Sequence, residues 1–73
     1  MELSKELLAE VDDLNGYVTA SGGTGGDCIY AKPLSNGMVA FFDSEADGQP
    51  KTIVRGAVWN KFIEGAKSGT FDF

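Results

Sequence analysis

The sequence predicts an α+β domain, a small antiparallel β-meander of three to four strands with a helix before it and a helix after it. Three observations carry this reading. Apolar residues recur at helical spacing near both ends, strand-like runs with alternating faces lie between them, and Gly, Asn and Pro turns separate the runs. With 73 residues the chain has room for one small core and no second domain. Residues 1–73 are therefore one domain, with an acidic N-terminal helix within 1–15 and the sheet plus C-terminal helix over 17–73.

The first helix is expected over residues 4–14. Ser4 can cap its free amides, Glu6 sits in the first turn, and Asn15-Gly16 stops it. Leu7, Leu8, Val11 and Leu14 form its apolar stripe. Asp12 and Asp13 stand at the negative end of the helix dipole, so that end should fray, and a helix this short needs something to pack on. Tyr17-Val18-Thr19-Ala20 reads as a short strand, and Ser21 to Gly26, with four glycines, as a flexible loop. Cys28–Lys32 and Met38–Phe42 are strands joined through Pro33–Gly37, where Asn36-Gly37 is a left-handed turn pair. A polar turn over 43–50 leads to a short strand, Thr52-Ile53-Val54. The last helix runs from about Ala57 to Lys67. Trp59, Phe62, Ile63 and Ala66 make its core-facing stripe, and Gly69 stops it.

Composition removes several functions. Six basic residues against eleven acidic ones leave a net charge of −5, which argues against direct binding to a phosphate backbone. With no histidine and one cysteine there is no Cys/His zinc site, no histidine base and no serine–histidine triad. One cysteine closes no internal disulfide, which fits a reducing cytoplasm. No apolar run approaches the ~20 residues of a membrane span, and the acidic start does not read as a signal peptide.

Three local patterns invite chemistry and are each better read as structure. The glycine cluster lacks the lysine, the Ser/Thr and the following helix of a phosphate loop; Asp27 and a strand follow instead. Asp43-Ser44-Glu45-Ala46-Asp47-Gly48 imitates half of a calcium loop, but Val54 stands where the bidentate glutamate belongs, so an acidic reverse turn is expected. Cys28 has no base beside it and the acidic Asp27 next to it, so it reads as a small semi-buried hydrophobe and not as a nucleophile or redox sensor. No carboxylate has an evident acid/base partner in an apolar pocket. The residue inventory thus predicts no enzyme, no catalytic, metal-binding or cofactor-binding residue, and no cofactor.

Alternation along the hairpin separates two faces. Ile29, Ala31, Val39 and Phe41 share one, and Cys28, Tyr30, Lys32, Met38, Ala40 and Phe42 share the other. If Ile29, Val39, Phe41 and Ile53 form the core around a central Trp59, then Tyr30, Met38 and Phe42 lie on the outer sheet face as an exposed interaction surface. The alternative is that Leu7, Val11 and Leu14 of the first helix cover them.

From Ser21 onward the chain resembles a known family. The residues that carry the likeness are Gly26-Asp27-Cys28-Ile29, Gly37 to Ser44, Asp47-Gly48-Gln49-Pro50 and Trp59 to Asp72. In order and spacing they are similar to the actinobacterial domain of unknown function 397. Its members show a glycine-rich stretch before Cys-Val-Glu-Val, then Val-Arg-Asp-Ser, then a Trp-x-x-Phe helix ending in Gly-x-Phe. The resemblance implies a small non-enzymatic regulatory protein that acts with a partner, a helix-turn-helix regulator or a toxin–antitoxin-like protein.

Departures from the pattern are specific. The family's Trp-x-Lys-Ser-Ser opening is replaced by Tyr17-Val18-Thr19-Ala20-Ser21. Phe42 stands for the Arg before Asp-Ser, and Tyr30 for the Glu after Cys-Val, so a charged cross-strand pair in relatives becomes an aromatic pair here. The Thr-Pro start of the last helix becomes Arg55-Gly56, losing a good cap and a good first residue. The acidic N-terminal helix lies outside the pattern. A protein-binding regulator is expected first, a self-associating homodimeric module second, and a weak calcium or small-molecule sensor at the 43–48 turn third.

Overall fold

Eight residues of helix are too few to hold in water alone, so the first helix must be fixed by its cap and its docking. The computed structural model, which describes residues 3–20 and 28–73, supplies both. Helix α1 spans Lys5–Asp12, and the Ser4 hydroxyl accepts from the Leu7 amide at 3.2 Å. Four strands follow, β1 (Val18–Thr19), β2 (Ile29–Pro33), β3 (Val39–Asp43) and β4 (Thr52–Val54), and the last helix, α2, covers Gly56–Lys67. The glycine-rich loop expected at 21–26, and the phosphate-loop reading of it, lie outside the described residues.

The sheet is an antiparallel meander in the order β1-β2-β3-β4. Its register pairs Thr19 with Tyr30, Tyr30 with Phe42, and Ala40 with both Lys32 and Ile53. At the β2–β3 turn, Gly37 has φ +89°, a backbone that a β-carbon disfavours. Asn36 does not share that conformation. Its side-chain oxygen instead accepts from the Met38 amide at 3.1 Å, so the turn has one left-handed residue, not two.

The core corrects the expected inside and outside. Val11, Leu34, Met38 and Ala40 are buried together, with Leu3, Leu7, Tyr17 and Ile53 packed around them. The face carrying Met38, Ala40 and Phe42 is thus the one that α1 covers. On the opposite face α2 lies across β3, its Trp59 ring 5.5 Å from that of Phe41. Trp59 is only half-buried, α2 contributes no buried residue, and Ile29 is 59 % exposed. Trp59 is therefore not the centre of the core. The sheet has two apolar faces, and α1 with its neighbours seals its own face more tightly than α2 seals the other.

Candidate functional site

Of the three residues expected to form an exposed contact surface, Phe42 is 6 % and Met38 9 % exposed, and Tyr30 is half-buried. Tyr30 and Phe42 are brought together, their rings stacked at 5.5 Å, and Tyr17 meets Phe42 edge-on at 5.1 Å. Met38 lies further along the sheet, among Val11, Leu34 and Ala40. The aromatic pair expected in place of the family's charged pair is present, but it is interior. The physical reason is Tyr17, whose hydroxyl donates to the Val11 carbonyl at 2.7 Å and so closes the chain between α1 and β1 over Phe42. The aromatic character of position 17 was visible in the sequence; that it lies over β3 was not.

The exposed apolar surface is on the other side of the sheet. Val18 is 67 % exposed on β1, beside half-buried Ala31 and the exposed Ile29 of β2. A groove of about 370 Å³ runs from Val18 and Ala31 past Pro33 and Val39 to Trp59 and Asn60. A second cleft of about 200 Å³, lined by Phe41, Val54, Val58, Trp59 and Phe62, continues it on the far flank of α2. Phe62 in turn packs against Trp59 at 5.6 Å and Phe71 at 5.3 Å, and Val58, Phe62 and Phe71 are each more than two-fifths exposed. Alternation puts Val18, Ile29 and Ala31 on this face. What misleads sequence reasoning is that β3 is apolar on both faces.

Charge is unevenly divided. Residues 3–20 carry one lysine and four carboxylates, and the 43–50 turn carries three carboxylates and no base. Residues 51–73 carry four bases and two acids, so the acidic excess of a protein of net charge −5 lies in the rest of the chain. One ion pair is formed among the described residues, Lys61 to Glu64 at 3.9 Å on the surface of α2.

The remaining sequence candidates resolve into structure. Asp43 Oδ1 accepts from the Glu45 amide at 2.9 Å, which makes the acidic segment a side-chain-stabilised turn. Gly48 and Gln49, at φ +72° and +46°, complete it. Among the described residues no group of three or more His, Cys, Asp or Glu side chains is placed to hold a metal ion. Cys28 is buried, and its carbonyl accepts from the Ser44 amide at 3.1 Å. Among the described residues, no helix is long and apolar enough to cross a membrane. No protein-family model, curated protein or solved structure matches this chain.

Proposed function

We propose that this chain is a non-catalytic protein–protein interaction module, a small regulatory protein of the cytoplasm that acts with a helix-turn-helix regulator or a toxin–antitoxin-like partner. One observation carries the reading: the open sheet face and the flank of α2 keep Val18, Ile29, Val58, Phe62 and Phe71 exposed, beside two apolar clefts that share Trp59. Burying such surface is favourable by roughly 25 cal/mol per Å² before association costs. A patch of this kind on a chain of 73 residues is what interaction sites share. The class of partner rests on the resemblance to the domain of unknown function 397.

The same face supports a second reading, a homodimer about a two-fold axis. The carboxylates concentrate on α1 and the 43–50 turn, so two copies meeting through the α2 side keep their most acidic parts apart.

Light scattering distinguishes the two. The chain alone, then mixed with a candidate helix-turn-helix partner, should give the mass of a complex in the mixture and of a monomer alone. A dimer in the absence of partner selects the second reading. In either case Ile29→Asp should abolish the complex while leaving the melting transition in place. An undiminished complex in that variant moves the interface off this face.

A further inference from the structure

Two Asn-Gly pairs lie in turns of this chain, Asn15-Gly16 between α1 and β1 and Asn36-Gly37 between β2 and β3. Such a pair can react with itself. Glycine has no β-carbon to shield its main-chain nitrogen, so that nitrogen can reach the Cγ of the asparagine before it. All four residues are exposed, and both glycines are left-handed, at φ +91° and +89°. Sequence, solvent access and glycine backbone are therefore matched. Hydrogen bonding is what separates the two pairs.

At the second pair the reacting groups are held. The Gly37 amide donates to the Leu34 carbonyl at 3.1 Å, and the Asn36 side-chain oxygen accepts from the Met38 amide at 3.1 Å. The Leu34 amide donates to the Met38 carbonyl at 2.8 Å and closes the turn around them. The bond to the Asn36 oxygen polarises its Cγ, but Gly37 must first give up its own hydrogen bond before its nitrogen can attack. At the first pair nothing comparable forms. The Asn15 main-chain amide donates to Asp13 Oδ1 at 3.0 Å, which engages neither reacting group. Among the described residues, the Asn15 side chain and the Gly16 N–H make no hydrogen bond.

We propose that Asn15 is a site of spontaneous deamidation in the folded protein, and that Asn36 is protected by its turn. The Gly16 nitrogen loses its proton to water and attacks Asn15 Cγ. The new C–N bond closes a succinimide ring as the Cγ–Nδ2 bond breaks, and the departing nitrogen takes up a proton and leaves as ammonia. Water at this exposed turn then opens the ring at Cγ to give aspartate, or at the main-chain carbonyl of residue 15 to give isoaspartate. Nothing is oxidised or reduced. Either product adds a carboxylate close to Asp12 and Asp13, and isoaspartate also lengthens the main chain between α1 and β1. The change falls where the Lys32 ammonium binds the Asp13 carbonyl at 2.9 Å and where Gly16 faces the Lys32 stem, a β-carbon built at 16 lying 3.4 Å from Lys32 Cε. This chemistry needs no partner and is independent of the interaction proposed above.

The test is incubation of the intact chain at mildly alkaline pH, folded in buffer and unfolded in concentrated urea, with peptide masses followed over time. Cleavage before aspartate, at Asp27, puts Asn15 and Asn36 on separate peptides. Deamidation replaces an NH2 by an OH and raises the peptide mass, which isomerisation at Asp47-Gly48 does not. In the folded chain the Asn15 peptide should gain that mass at least about tenfold faster than the Asn36 peptide, because two hydrogen bonds must open at Asn36. In urea the two rates should converge, since each pair is then an Asn-Gly in an open chain. Asn15→Gln, whose extra methylene disfavours ring closure, should abolish the gain on its peptide in the folded chain. The proposal is overturned if the folded chain modifies the two peptides equally fast, if Asn36 leads, if Asn15 reacts only in urea, or if the gain survives in Asn15→Gln.

Discussion

The Lys32 ammonium donates to the Glu10 main-chain carbonyl at 2.7 Å and to the Asp13 carbonyl at 2.9 Å, joining β2 to the end of α1. Helix C-termini leave carbonyls without partners and carry partial negative charge. With Asp12 and Asp13 there as well, this end of α1 should fray by local rules alone, yet a cation from a strand 19 to 22 residues away holds it. The four-carbon stem of Lys32 crosses the covered sheet face to reach that point.

Replacing Lys32 with Met keeps much of that stem and removes the donor. Hydrogen bonds to charged groups contribute roughly 1.5–3 kcal/mol when buried, and partial exposure lowers this to about 1–2 kcal/mol. Lys32→Met should therefore lower the denaturant midpoint by that equivalent, with faster amide exchange from Val11 to Asp13. Unchanged exchange in that segment would mean that the apolar stripe alone holds α1.

Glu10 also binds through its carboxylate, which accepts from the Ser35 amide at 2.8 Å and from the Ser35 hydroxyl. These two hydrogen bonds, the hydroxyl first, hold its pKa below the ordinary carboxylate value. The sign follows directly. A carboxylate whose pKa is depressed on folding stabilises the fold above its unfolded pKa, and that contribution disappears as pH falls through the folded value. Ser35→Ala should raise the Glu10 midpoint in a side-chain carbonyl titration and flatten the acid side of the melting-temperature profile. An unmoved midpoint would show that the contact does not persist in solution.

Strands and helices were legible here because their signals are local. Alternation in 28–32 and 38–42, the Asn36-Gly37 turn and the 59-62-63-66 stripe each depend on neighbours in sequence, and β4 falls on Thr52–Val54 as expected. Which sheet face is the core was not legible. Met38 to Phe42 is apolar at every position, so period two divides it into two sets without ranking them. The ranking comes from α1 and Tyr17, whose docking is long-range. Reading Tyr30, Met38 and Phe42 as exposed inverted the site for that reason. The alternative covering by Leu7 and Val11 is the arrangement found, while Leu14, also expected there, is 62 % exposed.

The inversion has a direct test in a pair of substitutions. Phe42→Arg puts a charge beneath Tyr17 and beside Tyr30 and should cost at least the ~3–5 kcal/mol of a large core truncation, comparable to the whole stability of a domain this small. Ile29→Arg, on the open face, should change stability by about 0.5 kcal/mol or less while reducing association. Far-ultraviolet circular dichroism on heating separates them. A cooperative transition in Phe42→Arg near the wild-type temperature would restore the outer-face assignment.

The start of α2 gives the last prediction. Arg55 is its N-cap but makes no side-chain capping hydrogen bond, and Gly56, a poor helix former, takes the first position. Local propensity says Gly56→Ala should stabilise the helix, by up to about 1 kcal/mol. Packing says the opposite. A β-carbon at 56 would stand 2.5 Å from the Gly37 carbonyl oxygen, a main-chain atom of the β2–β3 turn. Relief requires moving either α2 or the turn, and the turn is fixed by the Leu34 amide on the Met38 carbonyl at 2.8 Å and by the left-handed Gly37. The glycine thus permits the close approach that lays α2 on the sheet. Gly56→Ala should destabilise by about 1–3 kcal/mol, the usual cost of overpacking, with shifts at Gly37 and Trp59 amides. Ala57→Gly, an exposed position one residue on, serves as the control and should cost only the propensity difference of about 1 kcal/mol. A melting temperature that rises in Gly56→Ala would place α2 farther from the turn than this packing requires.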